Sequence, residues 1–222
     1  MQSKSNYYWL LIFIPLLFII WFLKNQKDNK PLHQLPYFGP KNALKINDTL
    51  YHQIPVFHFL NQYGAYTDQE AVKDKIYVAE FFFTTCHSIC PIMNNNLKWV
   101  YVNIQKEKDV LILSHTVDPE TDSVPILKSY ADRQGVTDKK WLFLTGSKTD
   151  LYAVARRGYL LDANEGNGGE DDFIHTQNFA LIDKERHIRG YYDGTDSVEV
   201  VRMMKDIDLL RQEYDYKKRH SD

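Results

Sequence analysis

The chain has 222 residues, a mean hydropathy of −0.45 and a formal net charge of −2, with acidic and basic residues interspersed. A chain of this length can bury a substantial core, so it needs no disulfide framework to fold. The mixed, nearly balanced charge carries no basic footprint of the kind that binds nucleic acid. These properties exclude the small disulfide-rich class and a nucleic-acid partner.

The N-terminal residues differ in kind from the rest of the chain. Residues 7–23 form an apolar and aromatic run, which at about 1.5 Å per residue reaches the lower limit for crossing a bilayer core. A cleavable signal peptide would end in a small-residue cleavage site, but a lysine-containing polar segment follows the run. The pattern favours an uncleaved transmembrane anchor over 1–24, a proline-containing linker over 25–40 and one domain over 41–222.

Hydrophobic patterning predicts strands that alternate with helices. In chain order it predicts a strand over 54–60, a short helix over 67–73, a buried strand over 76–83, a helix from Pro91, a strand over 110–117, a helix over 123–134, a strand over 141–144, a helix over 150–159, a hairpin over 179–182 and 188–192, and a closing helix opened by Asp196. This order indicates an α/β fold whose mixed sheet is flanked by helices.

The two cysteines of the chain, Cys86 and Cys90, lie between the strand over 76–83 and Pro91. Proline is favoured at the first helical position, so the pair is expected at a helix N-terminus, where N–H groups and the helix dipole favour a thiolate. A thiolate attacks disulfides and binds soft metals, so redox chemistry and metal carriage both stay open. A structural disulfide is the weaker alternative, because closing so short a loop would stabilise the fold by less than about 3 kcal/mol. A strand that leads into such a pair, with a late hairpin and a final helix, is the thioredoxin-like layout.

His175 is the candidate third group. It precedes the strand over 179–182 and follows a glycine-rich segment over 162–170, which predicts a mobile loop. In the thioredoxin-like layout, the loop that enters this strand passes beside the helix that carries the cysteines. Two thiolates and an imidazole suit copper as Cu(I) or Cu(II), whereas zinc usually takes a fourth ligand. The weaker candidates are His87, which could equally face water, and His115, which a buried hydrogen-bonded role explains better.

Together these residues resemble the SCO/SenC family. The resemblance rests on Cys86-x-x-x-Cys90 followed by proline, on Asp118 within a Val-Asp-Pro-Glu motif, and on the lone His175 before a Phe-Ala-Leu-Ile-Asp strand. The family comprises membrane-anchored, thioredoxin-like proteins associated with assembling the copper centre of cytochrome c oxidase. The resemblance implies that Cys86, Cys90 and His175 are copper ligands and that Asp118 supports the site.

The resemblance further implies a metallochaperone, a carrier rather than an enzyme, whose partner is the copper-domain subunit of cytochrome c oxidase. It implies a single-pass anchor in a bacterial inner membrane with the domain in the periplasm, although the lysines that follow the run predict the opposite orientation. A thiol–disulfide oxidoreductase is the alternative function: Cys86 attacks, Cys90 resolves, and the substrate is the cysteine pair of an apo copper protein. His175 separates the two functions, because a copper site needs it and a reductase does not.

Overall fold

The computed structural model describes residues 13–22, 34–45, 48–161, 174 and 176–220. The chain divides into two compact units, residues 1–33 and residues 34–222. In the first unit the described part is helix α1, residues 13–22. Within the described ranges, no helix combines the length and the apolar character needed to cross a membrane. Most of the anchor predicted over 1–24 lies outside those ranges, so the anchor stays a prediction.

A mixed sheet forms the centre of the second unit. Its strands are β3 (His58–Asn61), β4 (Tyr66–Asp68), β5 (Ile76–Phe82), β6 (Val110–Thr116), β7 (Trp141–Thr145), β8 (Asn178–Ile182) and β9 (Ile188–Asp193), and a separate hairpin of β1 (Lys41–Lys45) and β2 (Asp48–Tyr51) precedes them. The spatial order in the seven-stranded sheet is β4-β3-β7-β6-β5-β8-β9. The central strands β5, β6 and β7 pair in parallel, and the hairpins β3–β4 and β8–β9 join antiparallel at the two sides. The predicted mixed sheet is confirmed.

Helices cover both faces of this sheet. They are α2 (Cys90–Asn103), α3 (Val124–Gln134), α4 (Lys148–Ala153), which continues into a π-helical turn (Val154–Gly158), and α5 (Ser197–His220). Alternate residues of β5 separate two core layers, because successive side chains of a strand point to opposite faces. Ile76, Val78 and Phe82 pack with α2, α3 and α5, whereas Tyr77, Ala79 and Phe81 pack on the side of α4. The fold is the helix-flanked mixed sheet that the sequence predicts.

The short helix predicted over 67–73 is wrong. Tyr66–Asp68 forms strand β4, and residues 69–74 form turns. The Asp68 carboxylate accepts hydrogen bonds from the N–H groups of Glu70 (3.0 Å) and Ala71 (3.3 Å). Such a side-chain turn offers the backbone an alternative to helical hydrogen bonds. The pairing of β4 with β3 completes the hairpin at this edge.

The strand predicted over 54–60 is displaced, since β3 begins at His58. Pro55 has no N–H to donate to a neighbouring strand, and residues 52–57 form no strand. The helix predicted over 123–134 is confirmed as α3. It ends at Gly135, whose φ of 78° lies in the left-handed region that glycine adopts at little cost.

Within the second unit, residues 34–40, which precede β1, pack on the sheet and on α5. Leu35 is 7% exposed and belongs to the core layer of α2 and α5. The N–H of Phe38 donates to the carbonyl of Ile188 (2.9 Å), and Arg189 Nη2 donates to the carbonyl of Leu35 (2.7 Å). The last residues of the segment predicted as a linker over 25–40 therefore contact the sheet and α5.

Candidate metal centre

The turn after β5 delivers the first cysteine. The N–H of Cys86 donates to the carbonyl of Phe83 (3.2 Å), which closes a tight turn directly after the strand. Ile89 then caps α2, and its carbonyl accepts the N–H of Met93 (3.1 Å). Cys90 is the first residue of α2, with a proline in the first turn. The predicted position of the thiols at a helix N-terminus is confirmed.

The two thiols have different surroundings. Both are free, with Cys86 partly exposed and Cys90 only 5% exposed. Burial by itself would raise the pKa of Cys86, but hydrogen bonds from Cys90 and from Ser88 outweigh it and lower that pKa. Burial, and next the hydrogen bond to Cys86, raise the pKa of Cys90 well above its usual range. Cys86 is thus the more accessible thiol, with the lowered pKa, and Cys90 is the buried thiol that donates a hydrogen bond to it.

A buried carboxylate holds the cysteine turn against strand β6. Asp122 is fully buried and accepts hydrogen bonds from the N–H of Thr84 (3.2 Å), from the Thr84 hydroxyl and from the Thr116 hydroxyl (2.5 Å). Thr84 lies two residues before Cys86 and Thr116 ends β6. Asp118 lies in the same loop, and its carboxylate accepts the N–H of Thr121 (3.4 Å). The supporting role of Asp118 stays a prediction, while Asp122 makes the contacts to the turn that carries Cys86.

Glu80 is a second acidic group that sequence reasoning did not single out. It lies in β5 on the face that packs against α2, and it is fully buried. The Ser114 hydroxyl donates to Glu80 Oε1 and itself accepts Trp141 Nε1–H (2.7 Å), while Glu80 Oε2 has no partner among the described residues. Burial raises the pKa of Glu80 to about 8, and its charge contributes to the raised pKa of Cys90. The sequence does contain a signal for Glu80, because an acidic residue inside an otherwise apolar strand is rare.

His175 lies outside the described residues, but the chain on either side of it is described. Ile174 is buried, and Thr176 follows as a half-buried residue. A cleft of about 450 Å³ is lined by Ile89, Leu161, Thr176, Gln177 and Asn178. Strand β8 is antiparallel to β5, with Ala180 opposite Ala79, so the chain enters β8 at the end of β5 that leads to the cysteines. The cleft is lined by Ile89, in the turn between the cysteines, and by Thr176, at the entrance to β8.

The two weaker histidine candidates lie in different places. His87 is exposed between the cysteines. His115 is fully buried on the other face of the sheet, stacked on Phe81 with a ring separation of 5.0 Å. Neither of its ring nitrogens makes a hydrogen bond of ordinary geometry among the described residues, but backbone groups of Glu80 and Leu113 lie near enough to raise its pKa against the effect of burial. Burial lowers the pKa of His115 to about 4.

One other group of ligand atoms comes together in the described part of the chain. Asp183, Glu185 and His187, in the β8–β9 turn, have ligand atoms within 4.8 Å of one another. The carboxylate of Asp183 is paired with Arg189 (3.0 Å), and Glu185 accepts the hydroxyl of Tyr214. This turn lies at the end of β8 away from the cysteines. The carboxylates of Asp183 and Glu185 are thus already paired with other side chains, so we assign this group a structural role and not a metal-binding one.

The strand, the thiol pair at a helix N-terminus, the late hairpin and the final helix define a thioredoxin-like dithiol protein. The sequence model of the family described as SCO1/SenC matches residues 48–209, which is most of the chain. The chain belongs to the SCO1/SenC family.

Known relatives agree with this assignment. The SCO1 protein homolog of Bacillus subtilis is 30% identical over 165 residues, which cover 73% of this chain and 85% of the relative. A SCO1/SenC family lipoprotein from Bacillus anthracis has a similar structure, with a TM-score of 0.63, 28% identity and coverage of 72% of this chain and 95% of that one. BsSco, described as a member of the Sco family of cytochrome c oxidase assembly proteins with a disulfide switch, gives a TM-score of 0.61 at 29% identity, covering 73% and 95%.

A copper-bound structure shares the fold. ScoI of Arabidopsis thaliana with copper bound has a TM-score of 0.56 and 23% identity, covering 71% of this chain and 98% of that one. At this identity the likeness concerns the fold alone. Both proteins contain the helix-flanked sheet described above.

Proposed function

We propose that this protein is a copper metallochaperone that binds the ion through Cys86, Cys90 and His175. The cleft between the cysteine turn and the entrance to β8 carries this proposal, because Ile89 and Thr176 line it from both sides. A histidine at position 175 is one residue away from that lining. Two sulfur ligands and one imidazole form a donor set suited to copper, and copper-bound ScoI and the oxidase-assembly description of BsSco support the same cargo.

Partial exposure of the site fits a carrier. Cys86 is accessible from solvent, so an acceptor thiol can reach an ion bound there, while Cys90 is anchored in the core. Transfer then proceeds by ligand exchange, in which acceptor ligands replace His175 and the two sulfurs one at a time. We assign the acceptor role to the copper-domain subunit of cytochrome c oxidase. Asp118 is proposed to support the ligand loop beside Asp122.

The chain organisation proposed for this role is an anchor over 1–24, a linker over 25–40 whose last residues, from Leu35, pack on the copper domain, and the copper domain over 41–222. The apolar run over 7–23 supports the anchor. We propose that residues 41–222 lie on the periplasmic side of a bacterial inner membrane, despite the lysine bias, because ligand exchange with the copper domain of the oxidase requires that side. Reporter fusions at the C-terminus test this orientation, since a periplasmic reporter is active only in that topology.

Copper binding by the full-length protein tests the three-ligand site. The reduced protein, in detergent and without oxygen, competes for Cu(I) with a chromophoric chelator, and the parent is compared with His175→Ala and Cys86→Ser. We expect one equivalent of copper in the parent, at least about tenfold weaker binding in His175→Ala, and no stable binding in Cys86→Ser. His58→Ala, at an exposed histidine in β3, is the matched control. Copper held as tightly by His175→Ala as by the parent would contradict the site.

A thiol–disulfide oxidoreductase is the second candidate function, and the contrast between the two thiols favours it. The Cys86 thiolate attacks one sulfur of a partner disulfide, which forms a mixed disulfide and releases a partner thiolate. Cys90 gives up its proton and attacks the Cys86 sulfur, so that a Cys86–Cys90 disulfide forms and the second partner thiol leaves. Two electrons pass to the partner. His175→Ala should leave this exchange unchanged, which separates it from copper carriage.

A further inference from the structure

Helix α2 presents an apolar face to solvent. Ile92, Trp99 and Val102 are 49%, 45% and 63% exposed, although the opposite face of the same helix is buried in the core. At 3.6 residues per turn these three positions fall within an arc of about 80°. Asn95 lies in the same arc and is also exposed. We refer to Ile92, Asn95, Trp99 and Val102 as the α2 face.

The α2 face differs from an ordinary solvated helix surface in its charge. The 14 residues of α2 include one charged residue, Lys98, whereas charged residues occupy a quarter of the chain. Single exposed apolar side chains need no explanation, but three aligned on an uncharged face do. The centres of protein interfaces are depleted in charge and enriched in tryptophan, which also dominates their binding energy. The composition of the α2 face is that of an interface centre.

The α2 face adjoins the thiols. Cys90 is the first residue of α2, and Trp99 follows about 13 Å further along the helix axis. An interface of ordinary size covers about 800 Å² on each partner, which corresponds to a disc of about 16 Å radius. Such a disc is about 32 Å across, so a single interface can include both Cys86 and the α2 face. The α2 face is therefore within reach of a partner that contacts Cys86.

We infer that the α2 face is the docking surface for the protein that accepts copper from Cys86. The inference rests on the proposed function and adds a recognition element to it. A fitting partner surface is uncharged and largely apolar around its own accessible thiols. Contact with the α2 face then buries no unpaired charge on either protein. Trp99 is the anchor, and the asparagine supplies hydrogen bonds at the edge.

Two other occupants fit the α2 face less well. A helix that lies on a membrane surface carries lysine and arginine along its polar side, and α2 has only Lys98. A second copy of this chain seated on the first turns of α2 would cover the approach to Cys86, which is partly exposed and must stay accessible to a carrier's acceptor. A transient acceptor covers the same surface only during transfer.

The test measures copper transfer from the full-length protein in detergent to the apo copper domain of the oxidase subunit. The parent is compared with Trp99→Lys and Val102→Lys, which place a charge in the interface centre, and with Val102→Leu, which keeps it apolar. Val56→Lys is the matched control, since Val56 is exposed beside the other core layer. Cu(I) affinity and the reaction of Cys86 with a small aromatic disulfide are measured on the same samples, because neither needs docking.

We expect both lysine variants to transfer copper at least about tenfold more slowly than the parent, with unchanged Cu(I) affinity and small-disulfide reactivity. Val102→Leu and Val56→Lys should transfer at the parental rate. Lysine variants that transfer as fast as the parent would overturn the docking surface and leave the proposed function intact. A parent that binds copper but never delivers it would overturn the proposed function together with the inference. A dimeric parent that Trp99→Lys converts to a monomer, without slower transfer, would assign the face to a second copy instead.

Discussion

The carboxylate of Asp122 binds Thr84 through both the backbone N–H and the hydroxyl of that residue, and it also accepts the hydroxyl of Thr116. One buried side chain thereby fixes the turn that carries Cys86 to the end of the neighbouring parallel strand. Asp122 and Thr84 are 38 positions apart in the chain. The position of the exposed thiol consequently depends on a carboxylate that lies outside the thiol motif.

Asp122→Asn is expected to lower the free energy of unfolding by about 1–3 kcal/mol, because an amide nitrogen replaces one acceptor and leaves buried donors without partners. Cu(I) affinity should fall as well, since the Cys86 turn loses its support. Denaturant titration and chelator competition on the full-length protein measure both effects. Asp118→Asn is the comparison, because Asp118 is proposed as a weaker support of the same loop. Its carboxylate has one long contact to the N–H of Thr121, and a change within about 0.5 kcal/mol is expected. Equal losses in the two variants would contradict the assignment of support to Asp122.

The central strands were readable from the sequence because burial on both faces demands an unbroken apolar run. Strand β5 comes close to such a run, broken only by Glu80, and β6 begins with one over 110–113; both strands lie within one residue of their predicted bounds. The cysteine pair was placed correctly because proline marks the first turn of a helix. Short segments near the edge were not readable, as the region of β4 shows, where local hydrogen bonds of Asp68 override a weak helical pattern.

The sequence predicted only those features of the candidate site that depend on residues close together in the chain. The pairing of β3 with β7 and the contact of Asp122 with Thr84 join distant segments, and no local pattern encodes them. Glu80 could have been found, because one carboxylate in the strand Ile76–Phe82 breaks an otherwise apolar run. His175 remains a prediction from the resemblance and from its place before β8.

Glu80 makes stability dependent on pH in the neutral range. Its pKa is raised from the ordinary 4.5 to about 8, chiefly by burial. Between these values the unfolded chain ionises while the folded protein stays protonated, so stability present below pH 4.5 is lost as the pH rises to 8. A shift of this size corresponds to about 5 kcal/mol at most. Glu80→Gln removes the titration and keeps an acceptor for Ser114, so it should be more stable than the parent at pH 8 and close to it at pH 4.5.

Thermal unfolding at a series of pH values measures this effect as the difference between variant and parent. Glu120→Gln, at an exposed glutamate, supplies the control for removing one acidic residue. A difference between Glu80→Gln and the parent that stays constant from pH 4.5 to pH 8 would show that Glu80 ionises equally in the folded and unfolded protein.

His115 has the opposite effect at acid pH. Burial lowers its pKa from 6.5 to about 4, so the unfolded chain takes up a proton in this range and the folded protein does not. Stability is therefore lost as the pH falls from 6.5 to 4, by about 3 kcal/mol at most. His115→Leu should gain stability relative to the parent over that interval. His58→Leu, at an exposed position, is the control. Parallel stability curves for His115→Leu and the parent below pH 6.5 would contradict this role.

Arg189 joins the chain before β1 to the last helix. It is fully buried, pairs with Asp183 (3.0 Å) and Glu213 (2.9 Å), and donates to the carbonyl of Leu35 (2.7 Å). Arg189→Met leaves two buried carboxylates without a cation, which is expected to cost about 3–5 kcal/mol of unfolding free energy. Denaturant titration of the full-length protein measures the loss. Cleavage by chymotrypsin near Tyr37 should become faster, because the segment that starts at Leu35 loses its attachment.

Arg202→Met is the matched control for this prediction. Arg202 also contacts two carboxylates, those of Glu199 and Asp206, but its side chain is 46% exposed. Exposed ion pairs contribute about 1 kcal/mol or less, because solvent screens the charges. Arg202→Met should therefore unfold close to the parent and keep the slow cleavage near Tyr37. If Arg189→Met were as stable as Arg202→Met, the buried carboxylates would have to be protonated or hydrated in the variant, and the segment from Leu35 would be held by its apolar contacts alone.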